Sequence, residues 1–272
     1  MSAPELLSDF GAVDGGATSE APVPAGTRRI VLWDLPLRVF HWSLVIVVTA
    51  AIVTGELGGA WMPWHGRAGL LIVGLLVFRL VWGVLGSATS RFTSFAPSPG
   101  RLVAYLRGRW RGVGHNPLGA LSVFALLGLL LAQVATGLFG NDDIAFAGPL
   151  NHLVADSSGS RVTGWHRLLA DGLFVLIALH LAAIAFHVLV KRHRLIRPMI
   201  TGRLDVDSGL ATLQPVRGFG RFGLLSGVAI AAAVVLAIAG AGEGGVAVVP
   251  ASNAAAAPVA QQPLPASSAP AW

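Results

Sequence analysis

The sequence predicts an all-α integral membrane protein with five transmembrane helices. Three observations point there. Hydrophobic residues make up 54% of the 272-residue chain and charged residues only 12%, whereas a water-facing surface carries roughly 25% charge. Five apolar stretches each come near the ~20 residues needed to cross ~30 Å of hydrocarbon. Basic residues crowd into alternate connections between those stretches, the signature of membrane topology. A mean hydropathy of +0.70 agrees.

Residues 1–29 are polar, rich in Gly, Ala and Pro, and carry Glu5, Asp9, Asp14 and Glu20. No apolar segment follows a basic start, so they read as a disordered cytoplasmic arm and not as a cleaved signal peptide. The first apolar stretch runs from about Leu37 to Glu56, with Asp34 placed to cap it and Pro36 in its first turn. The second runs from about Trp64 to Leu85, the third from Pro117 to Phe139, the fourth from about Gly164 to Val190 and the fifth from Phe222 to Gly240. Gly and Ala scattered through them suit close helix packing in lipid. Residues 204–221 form a cytoplasmic linker before the fifth helix (residues 222–241), and residues 242–272 an Ala/Pro-rich tail.

Orientation follows from the connections. Arg28, Arg29 and Arg38 precede or open the first helix, and Arg91, Arg101, Arg107, Arg109 and Arg111 lie between the second and third. Lys191, Arg192, Arg194, Arg197, Arg203, Arg217 and Arg221 lie between the fourth and fifth. The turn around Gly58 is poor in basic residues, and so is the segment from Gly140 to Thr163, which carries Asp142, Asp143 and Asp156. The positive-inside rule places the N-terminus in the cytoplasm and the C-terminal tail in the periplasm of a bacterial inner membrane. The net charge of +6 then reports topology and anionic lipid, not nucleic acid.

Cysteine is absent, which removes disulfides, iron–sulfur clusters and covalent haem attachment together. Any redox cofactor must then be held by histidine, methionine or non-covalent contacts, and the histidines are placed with a pattern. His41 opens the first helix towards the cytoplasmic side, and His65 opens the second towards the periplasmic side. His166 and His180 lie fourteen residues apart on the fourth, which returns them to nearly one face with a rise of roughly 21 Å between them. Two imidazoles facing one another from different helices at one depth can ligate a haem iron. His65 matches His166 in depth, and His41 matches the lower part of the fourth helix. Two haems so placed would carry electrons across the bilayer without moving any part of the protein. Ionisable groups inside a membrane are costly and by default functional. His187 shares the stripe of His180, seven residues on, and geometry alone leaves the two as equal candidates.

At these residues the chain resembles the prokaryotic cytochrome b561 family, which includes the b-type cytochrome subunits of nickel–iron hydrogenases. The resemblance covers about residues 30–203. It rests on Trp33-Asp34-Leu35-Pro36 through Phe40-His41-Trp42, on His65 with Gly69, on Arg79 with Trp82, and on Arg91-Phe92 with Phe95. It continues through His115-Asn116-Pro117-Leu118-Gly119, Trp165-His166, His180 and Met199-Ile200-Thr201-Gly202. The resemblance implies a four-helix haem-binding bundle with two non-covalent, bis-histidine haem b groups, to which the C-terminal transmembrane helix is an addition. It implies His41 with His180 on the cytoplasmic haem and His65 with His166 on the periplasmic one, and its fourteen-residue spacing favours His180 over His187. The N-terminal arm and the fifth helix with its tail depart from the family pattern.

Other residues have readings of their own. Arg79 follows His65 by fourteen residues, at the depth of the cytoplasmic haem, where a guanidinium can pair with a propionate or snorkel to the surface. Asp171 and Gln133 read as hydrogen-bonding groups inside the bundle. Asn116 and Pro117 read as the cap and first residue of a helix. His152 and His193 read as solvated. Trp42, Trp61, Trp64, Trp82 and Trp165 read as an interfacial belt. The expected function is electron relay between membrane quinone and a redox partner, either a periplasmic cytochrome c or a hydrogenase or other dehydrogenase. The chain would serve as the electron-transfer subunit of an oxidoreductase and not as a stand-alone catalyst. The rival is a metal-ion or proton transporter, which calls for midplane carboxylates; Asp171 is the one candidate well inside a helix.

Overall fold

The computed structural model describes residues 26–110, 112, 114–142, 146–192, 194–207 and 220–245. Residues 1–25, Arg111, Asp143, His193, Arg217 and the tail beyond residue 245 lie outside the described residues. Within them the chain is almost wholly helical. A strand β1 (Thr27–Val31) leads into α1 (Leu35–Leu57), and a 3-10 turn (Gly59–Trp61) into α2 (Met62–Leu85). Two short helices, α3 (Phe92–Phe95) and α4 (Pro99–Leu106), precede α5 (Pro117–Phe139). Then come α6 (Asp156–Ala185), continued by a π-helical turn (Phe186–Val190), and α7 (Ile196–Thr201). Strand β2 (Arg203–Asp207) and α8 (Gly220–Gly245) complete the order. The five long helices are long and apolar enough to cross a membrane, as the sequence predicts.

Contacts divide the chain into two compact units. The first holds Met1–Ile46, Phe78–Leu126 and Val175–Val228; the second holds Val47–Val77, Leu127–Phe174 and Ala229–Trp272. In the first unit β1 pairs antiparallel with β2, from Thr27 opposite Asp207 to Val31 opposite Arg203. Arg29 Nε donates to Asp205 Oδ1 at 2.8 Å across this ribbon. Residues 27–29 therefore belong to a strand and not to the arm, and the pairing of their backbone groups with β2 is the reason. Leu32 N and Trp33 N both donate to Gly202 O. Gly202 sits at φ +79°, the left-handed C-terminal cap of α7.

Asp34 begins α1 as expected, its Oδ1 accepting from Leu37 N at 2.8 Å. The same carboxylate accepts from Trp82 Nε1 at 3.0 Å, Ser87 Oγ at 2.5 Å and Ser90 Oγ at 2.8 Å. Trp82 is consequently buried and leaves the interfacial belt; Trp42, Trp61, Trp64 and Trp165 stay exposed. Arg38 donates to Ile200 O and Trp42 Nε1 to Met199 O, tying α1 to α7. Asn116 caps α5, its Oδ1 accepting from Gly119 N at 2.7 Å.

In the second unit α6 starts at Asp156, eight residues before the hydropathy boundary. Hydropathy cannot see this polar first stretch. Thr163 holds it to the end of α5, exchanging hydrogen bonds with the Asn141 backbone at 2.9 and 2.8 Å. The extra helix α8 packs on α2 in each unit. A Cβ on Gly74 would meet Val235 at 3.1 Å, and one on Gly227 would meet Phe78 at 3.1 Å.

Candidate haem sites

In the second unit His65 of α2 and His166 of α6 face one another, ring centroids 6.0 Å apart and planes at 87°. A metal midway between two imidazole nitrogens, with bonds of about 2 Å, separates the centroids by about the same distance. Small residues make the room. A Cβ on Gly55 of α1 would lie 2.9 Å from His65 Nδ1, and one on Gly137 of α5 would lie 2.9 Å from His166 Cε1.

Hydrogen bonds set the tautomers. His65 Nδ1 lies 2.8 Å from Ala51 O, and His166 Nδ1 lies 3.0 Å from Gln133 O. A carbonyl can only accept, so each Nδ1 carries the proton and each Nε2 keeps its lone pair. That is the arrangement of a metal-ligating histidine steered from its far side. Thr136 Oγ1 adds a contact to His166 Nδ1 at 3.2 Å. The Gln133 amide nitrogen reaches His166 Nε2 at 3.1 Å, while Gln133 Oε1 is buried without a partner. Gln133 thus lies inside the bundle as expected, on the nitrogen a metal would need, and its amide must turn aside when that nitrogen is ligated.

In the first unit His41 of α1 and His180 of α6 lie within electrostatic range of one another. His41 Nδ1 is buried with no hydrogen-bond partner. His180 Nδ1 lies 3.2 Å from Ser122 Oγ of α5. His187, the alternative left open by spacing, is engaged at both nitrogens: Nδ1 with Ala183 O at 2.9 Å and Nε2 with the hydroxyl of Tyr105 at 3.4 Å. The π-helical turn from Phe186 interrupts the stripe at this point. Arg79 is 2% exposed, so it does not snorkel. Its guanidinium lies 4.3 Å above the Phe92 ring, and its Nη1 has no hydrogen-bond partner.

The chemistry of the residues present fits a haem: facing imidazoles with glycines beside them in the second unit, and in the first two imidazoles within electrostatic range and a buried guanidinium for an acid group. Ala51, Gly55, Ser122, Thr136 and Gly137 escape sequence reasoning, because a backbone carbonyl or a glycine in an apolar helix carries no signal of its own. Asp171 is a correction. It is exposed on α6 and has no hydrogen bond among the described residues, its position being turned well away from that of His166 on the helix. His152 is exposed, as expected. Among the described residues no cluster of three or more acidic or histidine side chains could hold a metal ion.

The model of the prokaryotic cytochrome b561 family matches residues 32–202. A probable Ni/Fe-hydrogenase B-type cytochrome subunit of Bradyrhizobium diazoefficiens is 24% identical over 230 residues, 71% of this chain and 92% of that protein. A probable Ni/Fe-hydrogenase 1 B-type cytochrome subunit of Escherichia coli is 21% identical over 180 residues, 50% of this chain and 74% of that one. The corresponding protein of Azotobacter vinelandii is 25% identical over 218 residues, 64% and 87% of the two chains. No solved structure matches. The matched segment runs from the residue after β1 to the cap of α7 and includes His41, His65, His166 and His180. The chain belongs to the prokaryotic cytochrome b561 family, as a membrane-spanning b-type cytochrome that transfers electrons.

Proposed function

We propose that the protein is a dihaem transmembrane cytochrome that relays electrons between the quinone pool and a redox partner. The observation that carries this reading is the His65–His166 pair, 6.0 Å between centroids, with both Nδ1 atoms turned to backbone carbonyls. In this reading His65 with His166 holds one haem b and His41 with His180 the other, one pair in each unit. Arg79 is the counter-charge for a propionate of the second of these. Bound haem supplies a one-electron iron couple. The chain's own residues hold the imidazoles in one tautomer, keep water from them and set the local charge. Two protein ligands on each iron leave no open position, so the reading excludes oxygen chemistry at the metal.

The redox partner is proposed as a hydrogenase or other dehydrogenase subunit, on the strength of the relatives' names, with a periplasmic cytochrome c as the second choice. The inner-membrane location, the cytoplasmic N-terminus, and the arm, linker and tail outside residues 30–203 belong to the same proposal. The test is a reduced-minus-oxidised spectrum and a pyridine haemochrome assay on protein purified in mild detergent. Two haems per chain with a low-spin b-type spectrum are expected. His166→Ala should leave one haem, and so should His180→Ala, whereas His187→Ala should leave two. One haem in the unaltered protein would remove a ligand pair. No haem in folded, haem-supplied protein would overturn the reading and return the histidines to the transporter alternative.

A further inference from the structure

In the first unit a buried Arg79 and a half-buried His115 are joined through two rings: Arg79 lies 4.3 Å above Phe92, Phe92 6.0 Å from Phe95, and Phe95 4.4 Å from His115. Arg79 is 2% exposed with Nη1 unpartnered. The acid that bears on it is Asp34, yet that carboxylate already accepts from Leu37 N, Trp82 Nε1, Ser87 Oγ and Ser90 Oγ. The other side chain is His115, just ahead of α5. Its ring stacks on Phe95 at 4.4 Å and 29° and is tilted at 56° against Trp33, with centroids 4.5 Å apart. Neither ring nitrogen has a hydrogen-bond partner among the described residues. His115 lies close enough to Arg79 to feel its charge, and burial, then Arg79, push its pKa down to about 4. At neutral pH it is therefore an uncharged imidazole with one N–H to donate.

A buried guanidinium needs a counter-charge that stays, since burying an uncompensated charge is strongly unfavourable. A free anion does not partition into an apolar span, and a lipid phosphate cannot reach a side chain this enclosed. A neutral quinone offers no charge. A carboxylate carried on a resident cofactor meets every condition. We infer that Arg79 and His115 together form one carboxylate site for a propionate of the haem held by His41 and His180, with His115 the second donor and a positioning residue for that haem. The inference rests on the dihaem reading above. The aromatic contacts then have a purpose: Phe95 stacked on the ring and Trp33 tilted against it hold the imidazole in place for its nitrogens to bond.

The experiment uses the full chain in detergent. His115→Phe keeps a ring against Trp33 and Phe95 and removes both nitrogens; His115→Asn restores a donor. Haem content is measured first, then the two midpoint potentials, the rate of haem transfer to apomyoglobin, and reconstitution with haem or its propionate dimethyl ester. The expected result is two haems in the unaltered protein. His115→Phe should shift one midpoint potential and leave the other in place. It should speed loss of one haem about tenfold or more, as for a hydrogen bond to a charged group, and His115→Asn should recover most of that loss. Esterification should weaken binding in the unaltered protein, and by much less in His115→Phe. Two haems with unmoved potentials would overturn the inference, as would an equal effect of His115→Phe on haem and ester. Either result would leave the dihaem reading standing, whereas an unaltered protein without haem would remove both. Should His115→Phe not accumulate, the ester comparison between unaltered protein and His115→Asn decides, and no weakening by esterification in either would overturn it.

Discussion

Gly55 and Gly137 act in the second unit by having no side chain. A methyl on either would lie 2.9 Å from a histidine ring, closer than any real contact allows, at the edge that a backbone carbonyl already holds through Nδ1. Gly55→Ala or Gly137→Ala should therefore displace an imidazole without removing it. Haem content should fall by one per chain while the helix content by circular dichroism is unchanged; unchanged haem in both variants would refute the crowding argument. Histidines were legible in the sequence because an ionisable residue is rare in an apolar helix and fourteen residues return to one face. The glycines were not, because glycine in such a helix has a general use in packing. The carbonyls of Ala51 and Gln133 could not be read at all, since every residue has one. Spacing alone could not separate His180 from His187; the contact of His187 with Tyr105 and its place in the π-helical turn are features that no periodicity shows.

Among the elements, the start of α1 shows how much one carboxylate can organise. Asp34 caps the helix and also gathers Trp82, Ser87 and Ser90. Asp34→Ala removes the cap, at about 1 kcal/mol, and strands donors that were part-buried, at about 1–3 kcal/mol for each group left unsatisfied. A loss of about 2 kcal/mol or more is expected in denaturant or thermal unfolding in detergent; Asp34→Asn, which keeps an acceptor, should lose less. The ribbon of β1 and β2 answers to pH. The Arg29 hydrogen bond and charge hold the exposed Asp205 carboxyl below its usual value. A carboxyl lowered on folding stabilises above its unfolded value, and that contribution disappears as pH falls through the lowered one. Amide exchange in residues 27–31 and 203–207 should speed up more between pH 5 and pH 3 than the intrinsic rate predicts, and Asp205→Asn should abolish the difference. Long helices were legible from hydropathy. The ribbon was not, because its strands are five residues each and meet across more than 170 residues of sequence. The short α3, α4 and α7 were equally hidden, and so was the polar first stretch of α6.

For the molecule as a whole, composition and loop charge carry the topology, and the prediction is direct. Fusions of a periplasm-dependent phosphatase should be inactive at the N-terminus and after Arg107, and active after Gly58 and within residues 140–155. The reverse pattern would invert the orientation. The fifth helix was legible as a span; its seat was not. That seat depends on Gly74 meeting Val235 and Gly227 meeting Phe78, pairings that only the folded chain brings together. Membership in the family rests on residues 32–202, and the β1–β2 ribbon closes immediately outside those limits. Its consequence is modular. The two ends of the cytochrome segment lie side by side, stapled by backbone hydrogen bonds, so sequence added before Thr27 or after Asp207 starts from a single point. An ancestral gene could acquire a leader, lose a tail or append a helix such as α8 at that point without rethreading the electron-carrying core.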